Sequence, residues 1–185
     1  MAKYYYLMAQ LPSISFGMKP PFKYEEFKEL ASRYINKKDA EILSTLSLEP
    51  IRDGGKVSSY FLNKWYEFER AMRLALRELR AGKLKWDGID ISYDERAKVL
   101  SSYYAKSIAS QAFAMDDPLQ AELFLDRKRF EFINGIKSGD NFSSDSLFSY
   151  AIMLLLLIRE ESFSKDKGIE EYKKLYSQIL DKAEE

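Results

Sequence analysis

An apolar run from Leu147 to Ile158 constrains the fold of this chain more than any other stretch. Only Ser149 interrupts its apolar character. A helix of that length rises roughly 18 Å, whereas a bilayer requires about twenty apolar residues, so we do not expect a transmembrane span. An apolar helix without a polar face is typical of the centre of a helical bundle. We therefore predict a buried helix over residues 144–164, with the run from Leu147 to Ile158 fully covered and Ser144 or Asp145 as its N-cap.

The composition of the rest of the chain favours one helical domain. With 185 residues the chain is long enough to bury a sizeable core, and its only threonine is Thr45. The charge balance is even, with 29 basic and 29 acidic residues, which argues against a general role on nucleic acid or on a membrane surface. Cysteine and histidine are absent, which excludes disulfides, thiolate and imidazole chemistry, and zinc sites of the usual ligands. The N-terminal residues lack signal-peptide features, so we expect a cytoplasmic protein.

Hydrophobic periodicity predicts an all-α fold, an irregular bundle of about six helices around the buried apolar helix (144–164). We treat residues 1–185 as a single domain with Gly- and Pro-containing linkers near 49–57 and 82–93. Gly82 is expected to end the longest helix. Besides the apolar helix, the pattern predicts helices over 24–35, 38–46, 58–81, 94–115, 117–136 and from 169 onward.

Four arginines lie on one side of the longest predicted helix: Arg70, Arg73, Arg77 and Arg80. Their spacings of three and four place them on one ridge. Such a ridge suits an acidic partner helix or phosphate groups, because the guanidinium fork binds both. It is more typical of a solvated helix face, since Glu69 precedes Arg73 by four residues and can pair with it. Both interpretations stay open at this point.

Three consecutive tyrosines near the N-terminus, Tyr4, Tyr5 and Tyr6, form a second candidate interface. Aromatic side chains at a chain terminus pack either into the core or against a partner. The sequence leaves both possibilities open.

A third group, Glu122, Asp126 and Arg129, lies on the apolar side of the predicted helix 117–136. Two carboxylates four residues apart suggest metal binding or acid–base chemistry, whereas the nearby arginine suggests a paired structural cluster. The second interpretation is the better match to the residues. No phosphate-binding loop or nucleophile elbow occurs, so we expect no catalytic residue, no cofactor and no metal site.

Two sets of segments resemble known families. The residues KYYYLMAQLPSISFG followed by PP and EEF (3–27), and LLLLIREESFSKDKGIEEYKKLY (154–176), are similar to the two ends of small proteins encoded in bacterial V-type ATPase operons. The stretch DPLQAELFLDRKRFEFI (117–133) and the Tyr-x-Tyr-Leu-x-Ala run (4–9) resemble the V-type ATPase C subunit, called d in eukaryotes. That subunit is an all-helical cup that joins the central stalk to the membrane ring. It is also much longer than this chain, so the resemblance does not imply a complete cup.

These resemblances imply a non-catalytic structural, coupling or accessory component of a V-type ATPase that acts through protein–protein contacts. Its partners would be ATPase subunits on the central-stalk or membrane-ring side. It would lie at the membrane through the complex, without inserting directly. The alternative is a freestanding helical binding module for RNA or for an acidic protein partner, although the even charge makes nucleic acid the weaker candidate. The subunit contacted, the stoichiometry, and a rotor, stator or assembly role stay open.

Overall fold

The computed structural model describes residues 4–50, 55–85, 102–137 and 139–163, and six further positions, 168, 169, 173, 174, 176 and 177. The described residues form seven helices and no strand, so the all-α prediction is confirmed. The helices are α1 (Tyr5–Gln10), α2 (Tyr24–Ser32), α3 (Lys37–Thr45), α4 (Tyr60–Leu84), α5 (Tyr103–Phe113), α6 (Pro118–Ile136) and α7 (Ser144–Ser162).

Helix α7 is the predicted apolar helix, and it contacts α2, α3, α4 and α6. Leu154 in its middle is completely buried. The expectation that the whole run is covered is wrong at Leu155 and Ile158, which are half-buried. These two residues are three apart and share one side of the helix with Arg159, where α7 turns towards solvent.

The N-cap of α7 is Ser143, not Ser144 or Asp145 as the sequence suggests. The Ser143 hydroxyl accepts a hydrogen bond from the backbone N–H of Ser146 at 3.2 Å. The two residues predicted as caps join neighbouring helices instead. Ser144 donates to a carboxylate on α3, and Asp145 accepts a 2.6 Å hydrogen bond from Ser59 at the start of α4. The entry to α7 is therefore fixed by three segments of the chain.

Helix α4 packs its apolar seam into the core, with Trp65 and Met72 completely buried. It does not end at Gly82 as predicted but continues to Leu84, and Lys85 adopts the left-handed conformation at φ 50°. The amide of Lys85 donates to the Gly82 carbonyl, so the cap forms one turn later without a glycine. The predicted linker 82–93 thus begins at Lys85 within the described residues, and 86–93 lie outside them.

The remaining predicted helix and linker boundaries can be compared with the structure only in part. Helix α6 begins where the sequence places it, because Asp117 caps it by accepting from the backbone N–H of Leu119 at 2.9 Å. Residues 55–57 of the first linker are not helical, whereas 51–54 lie outside the described residues, as do 94–101. Most of the last predicted helix also lies outside them. None of the described helices is both long and apolar enough to cross a membrane.

Candidate partner-binding surface and buried charge network

Six charged side chains join α4, α6 and α7 in a continuous series of ion pairs, here called the charge network. The three residues predicted from α6 belong to it, together with two residues on α4 and one on α7. Its members are Glu69, Arg73, Glu122, Asp126, Arg129 and Arg159.

The centre of the network is the pair of Glu69 on α4 and Arg129 on α6. Glu69 is completely buried and Arg129 is 6% exposed. The guanidinium Nε of Arg129 donates to one oxygen of Glu69, and its Nη2 donates to the other at 3.3 Å. The remaining Nη1 donates to Asp126 at 2.7 Å. Because these charges lie away from water, their pairing offsets a large desolvation cost.

Arg159 closes the network from α7. Its Nη1 donates to both oxygens of Asp126 at 2.6 and 2.7 Å, and its Nη2 donates to Glu122 at 2.6 Å. Both carboxylates that suggested metal or acid–base chemistry are therefore held by arginine. The geometry is that of a cross-link between α6 and α7.

Burial and pairing oppose each other at these groups. Burial raises the pKa of Asp126 above its usual range, although Arg129 and Arg159 favour its charged form. For Arg129, burial disfavours the charge, but Glu69 and Asp126 outweigh that effect and its pKa is raised. Arg129 thus stays charged in the interior.

Sequence reasoning predicted the pair of Glu69 with Arg73 but missed that Glu69 is buried and binds Arg129, and it missed Arg159. For Glu69 a signal exists: it lies seven residues from both Leu62 and Leu76, which are buried on the same side of α4. A carboxylate on such an apolar line requires a buried partner. Arg159 directly follows the apolar run, and no spacing within its own helix points to α6.

Glu160 lies beside the network with an unusual environment. One of its carboxylate oxygens is buried without a hydrogen-bond partner. Burial raises the pKa of Glu160, and repulsion from Asp126 adds to the effect, whereas the Gly17 backbone N–H and Arg127 oppose it. Gly17 has φ +80°, a left-handed turn that glycine adopts without strain.

We expect the substitution Glu160→Gln to stabilise the protein slightly at neutral pH. Because the pKa of Glu160 is raised on folding, the folded state binds this proton more tightly than the unfolded chain does. The contribution of Glu160 to the stability of the folded state is therefore present at low pH and lost as the pH rises through its folded-state pKa. Thermal unfolding at a series of pH values tests this. The Tm of the variant should exceed that of the wild type at pH 7 and converge with it near pH 4; the gain should be small because solvent screens a partly exposed group.

The three N-terminal tyrosines do not form one surface. Tyr4 is only 6% exposed, so it lies in the core, which is one of the two possibilities that the sequence left open. Its hydroxyl donates to Asp39 at 2.6 Å and accepts from Asn36 at 2.8 Å, which ties the chain start to α3. Tyr5 is 49% and Tyr6 77% exposed. Only these two remain candidates for a contact outside the chain.

The arginine ridge is also divided by the structure. Arg73 donates to the buried Glu69 at 2.9 Å, and Arg70 is half-buried. Arg77 and Arg80 are exposed, and within the described residues neither forms an ion pair or hydrogen bond. The two interpretations of the ridge therefore apply to different parts of it. Arg73 is paired locally, whereas Arg77 and Arg80 have no partner within the described residues.

No protein-family model, curated protein or solved structure matches this chain. The relation to V-type ATPase proteins therefore stays a prediction that depends on the quoted sequence segments. Within the described part of the chain, no group of three or more acidic side chains is arranged to hold a metal ion.

Proposed function

We propose that this protein is a non-catalytic helical component of a V-type ATPase, acting through protein–protein contacts as a coupling or accessory element. The resemblance of residues 3–27, 117–133 and 154–176 to proteins of that system motivates the assignment. The charge network supplies the structural observation that supports it.

The carboxylates of the network are the strongest candidates for chemistry in the chain, and they are saturated by arginine. Asp126 accepts from Arg129 and from Arg159, and Glu122 accepts from Arg159. A general acid or base must reach a substrate proton, which two carboxylates bridged by guanidinium groups do not readily do. Ion pairs between α4, α6 and α7 instead hold three helices in fixed relative positions. That rigidity suits a protein that presents a surface to a partner.

The resembling segments also contact one another. Arg159, in the segment 154–176, binds Asp126, in the segment 117–133. The ring of Phe16, in the segment 3–27, lies 5.6 Å from the ring of Phe130, in the segment 117–133. Segments that are distant in sequence thus form one structural unit, as expected if they were selected for one role.

The alternative, a freestanding binding module for RNA or for an acidic protein, is favoured by a different observation. Arg77 and Arg80 are exposed and carry uncompensated charge within the described residues. A helical scaffold with such a surface binds anionic partners whatever its genomic setting.

We expect the tagged protein to co-purify with V-type ATPase subunits from detergent-solubilised membranes of its native host. Mass spectrometry of the eluate, compared with a tag-only control, gives the measurement. Enrichment of stalk or membrane-ring subunits would support the proposal. Enrichment of RNA, or of proteins unrelated to the ATPase, would instead favour the freestanding module and contradict the proposed function.

A further inference from the structure

The last three turns of α4 present a continuous exposed line of side chains, here called the basic stripe: Arg73, Arg77, Arg80 and Leu84. Their spacing of 4, 3 and 4 places them on one side of the helix, over about 16 Å of its axis. Leu84 is 72% exposed, an unusual environment for a large apolar side chain. In a coiled coil, side chains at this 4-3-4 spacing form the face of the helix that contacts the partner helix.

The stripe is anchored at one end and uncompensated at the other. The Glu69 carboxylate forms an ion pair with Arg73, and the Arg73 Nη2 also donates to the Leu48 carbonyl at 3.4 Å. Arg77 and Arg80 have no such partner within the described residues. Two like charges at this spacing repel each other, and an external acidic group would relieve that repulsion.

We propose that the basic stripe binds an acidic helix of a partner protein. Carboxylates at the matching spacing face Arg77 and Arg80, and an apolar side chain of the partner covers Leu84. This inference rests on the proposed function only in that the protein acts through protein contacts; it does not depend on which complex it joins.

A protein helix fits the stripe better than a nucleic acid does. Phosphate backbones favour broad basic surfaces, whereas α4 also carries the acidic residues Glu67 and Glu78 beside the arginines. A phosphodiester chain also offers no apolar group for Leu84. A helix with carboxylates followed by one apolar residue satisfies both ends of the stripe.

The test is a fluorescence-anisotropy titration with a labelled helical peptide that carries Glu at the 4-3 spacing and Leu four residues on. A peptide with Lys in place of Glu is the probe control. The variant R77E/R80E reverses the two free charges, and K37E/K38E makes the same charge change at exposed positions of α3. Circular dichroism should show wild-type helicity and Tm for both variants, because all four side chains are exposed.

We expect the acidic peptide to bind the wild type, with an affinity that falls between about 20 and about 200 mM NaCl. R77E/R80E should weaken binding at least about tenfold, whereas K37E/K38E should change it less than about twofold. Leu84→Gln should weaken binding but leave its salt dependence unchanged, because it removes only the apolar contact.

Three results would overturn the inference: no binding of the acidic peptide, equal binding by R77E/R80E, or equal binding of the Lys peptide. Binding of a single-stranded RNA that R77E/R80E abolishes, without peptide binding, would assign the stripe to nucleic acid. The two proposals fail separately. Co-purification with the ATPase without binding of the acidic peptide would refute the stripe alone, and peptide binding without ATPase subunits in the eluate would refute the ATPase assignment alone.

Discussion

The substitution Leu154→Asp should abolish cooperative folding of the protein. Leu154 is completely buried in the middle of α7, and α7 contacts four other helices. A carboxylate at this position has no partner, and an unpaired buried charge costs several kcal/mol. That cost is comparable to the total stability of a typical domain, about 5–15 kcal/mol. Circular dichroism during heating should show no cooperative transition, and size-exclusion chromatography should show an expanded or aggregated species.

The neighbouring residue provides a matched control for this prediction. Leu155 is half-buried on the side of α7 that turns towards solvent, so the Asp of Leu155→Asp can reach water. That variant should fold with a reduced Tm. If both substitutions were equally tolerated, or if Leu154→Asp unfolded with the wild-type Tm, α7 would not be the centre of the core.

The sequence is sufficient to predict α7 because an apolar run is a property of consecutive residues. The same signal does not locate the ends of the helix. Ser143, Ser144 and Asp145 are all good capping residues, and tertiary contacts decide between them. Ser144 and Asp145 form hydrogen bonds with α3 and with the start of α4, and Ser143 therefore caps α7. Gly82 is a comparable case, since α4 continues past a residue that commonly ends helices.

The charge network could be predicted only within single helices, not between them. Spacing places Glu122, Asp126 and Arg129 on one side of α6, and the structure brings them together there. Glu69 lies 60 residues away from its partner Arg129, and periodicity does not report which helix faces which. The ridge on α4 shows the same limit. Its spacing and the pairing of Arg73 with Glu69 follow from the sequence, but the burial of Glu69 depends on how the helices pack.

The substitution Glu69→Leu should destabilise the protein by about 3–5 kcal/mol, because it leaves the buried Arg129 with Asp126 as its remaining partner. For a domain of this size, that loss lowers the Tm by roughly 10 °C. Equilibrium unfolding in urea should show a lower midpoint with an unchanged slope. Arg73→Ala is the control, because it removes the partly exposed arginine with its pairs to Glu69 and Glu49 but leaves Glu69 paired with Arg129. It should cost less than about 1 kcal/mol.

The double variant Glu69→Leu/Arg129→Met tests whether this cost comes from the stranded charge or from lost packing. Removing both members of a buried pair is often neutral or stabilising, because the desolvation cost disappears with the charges. Asp126 retains Arg159, which donates to both of its oxygens. We therefore expect the double variant to be more stable than Glu69→Leu alone, with a coupling energy of at least about 1 kcal/mol. Additive losses from the two substitutions would contradict this account. They would mean that Glu69 and Arg129 stabilise the fold through separate contacts, and that the attraction between these two charges does not hold α4 against α6.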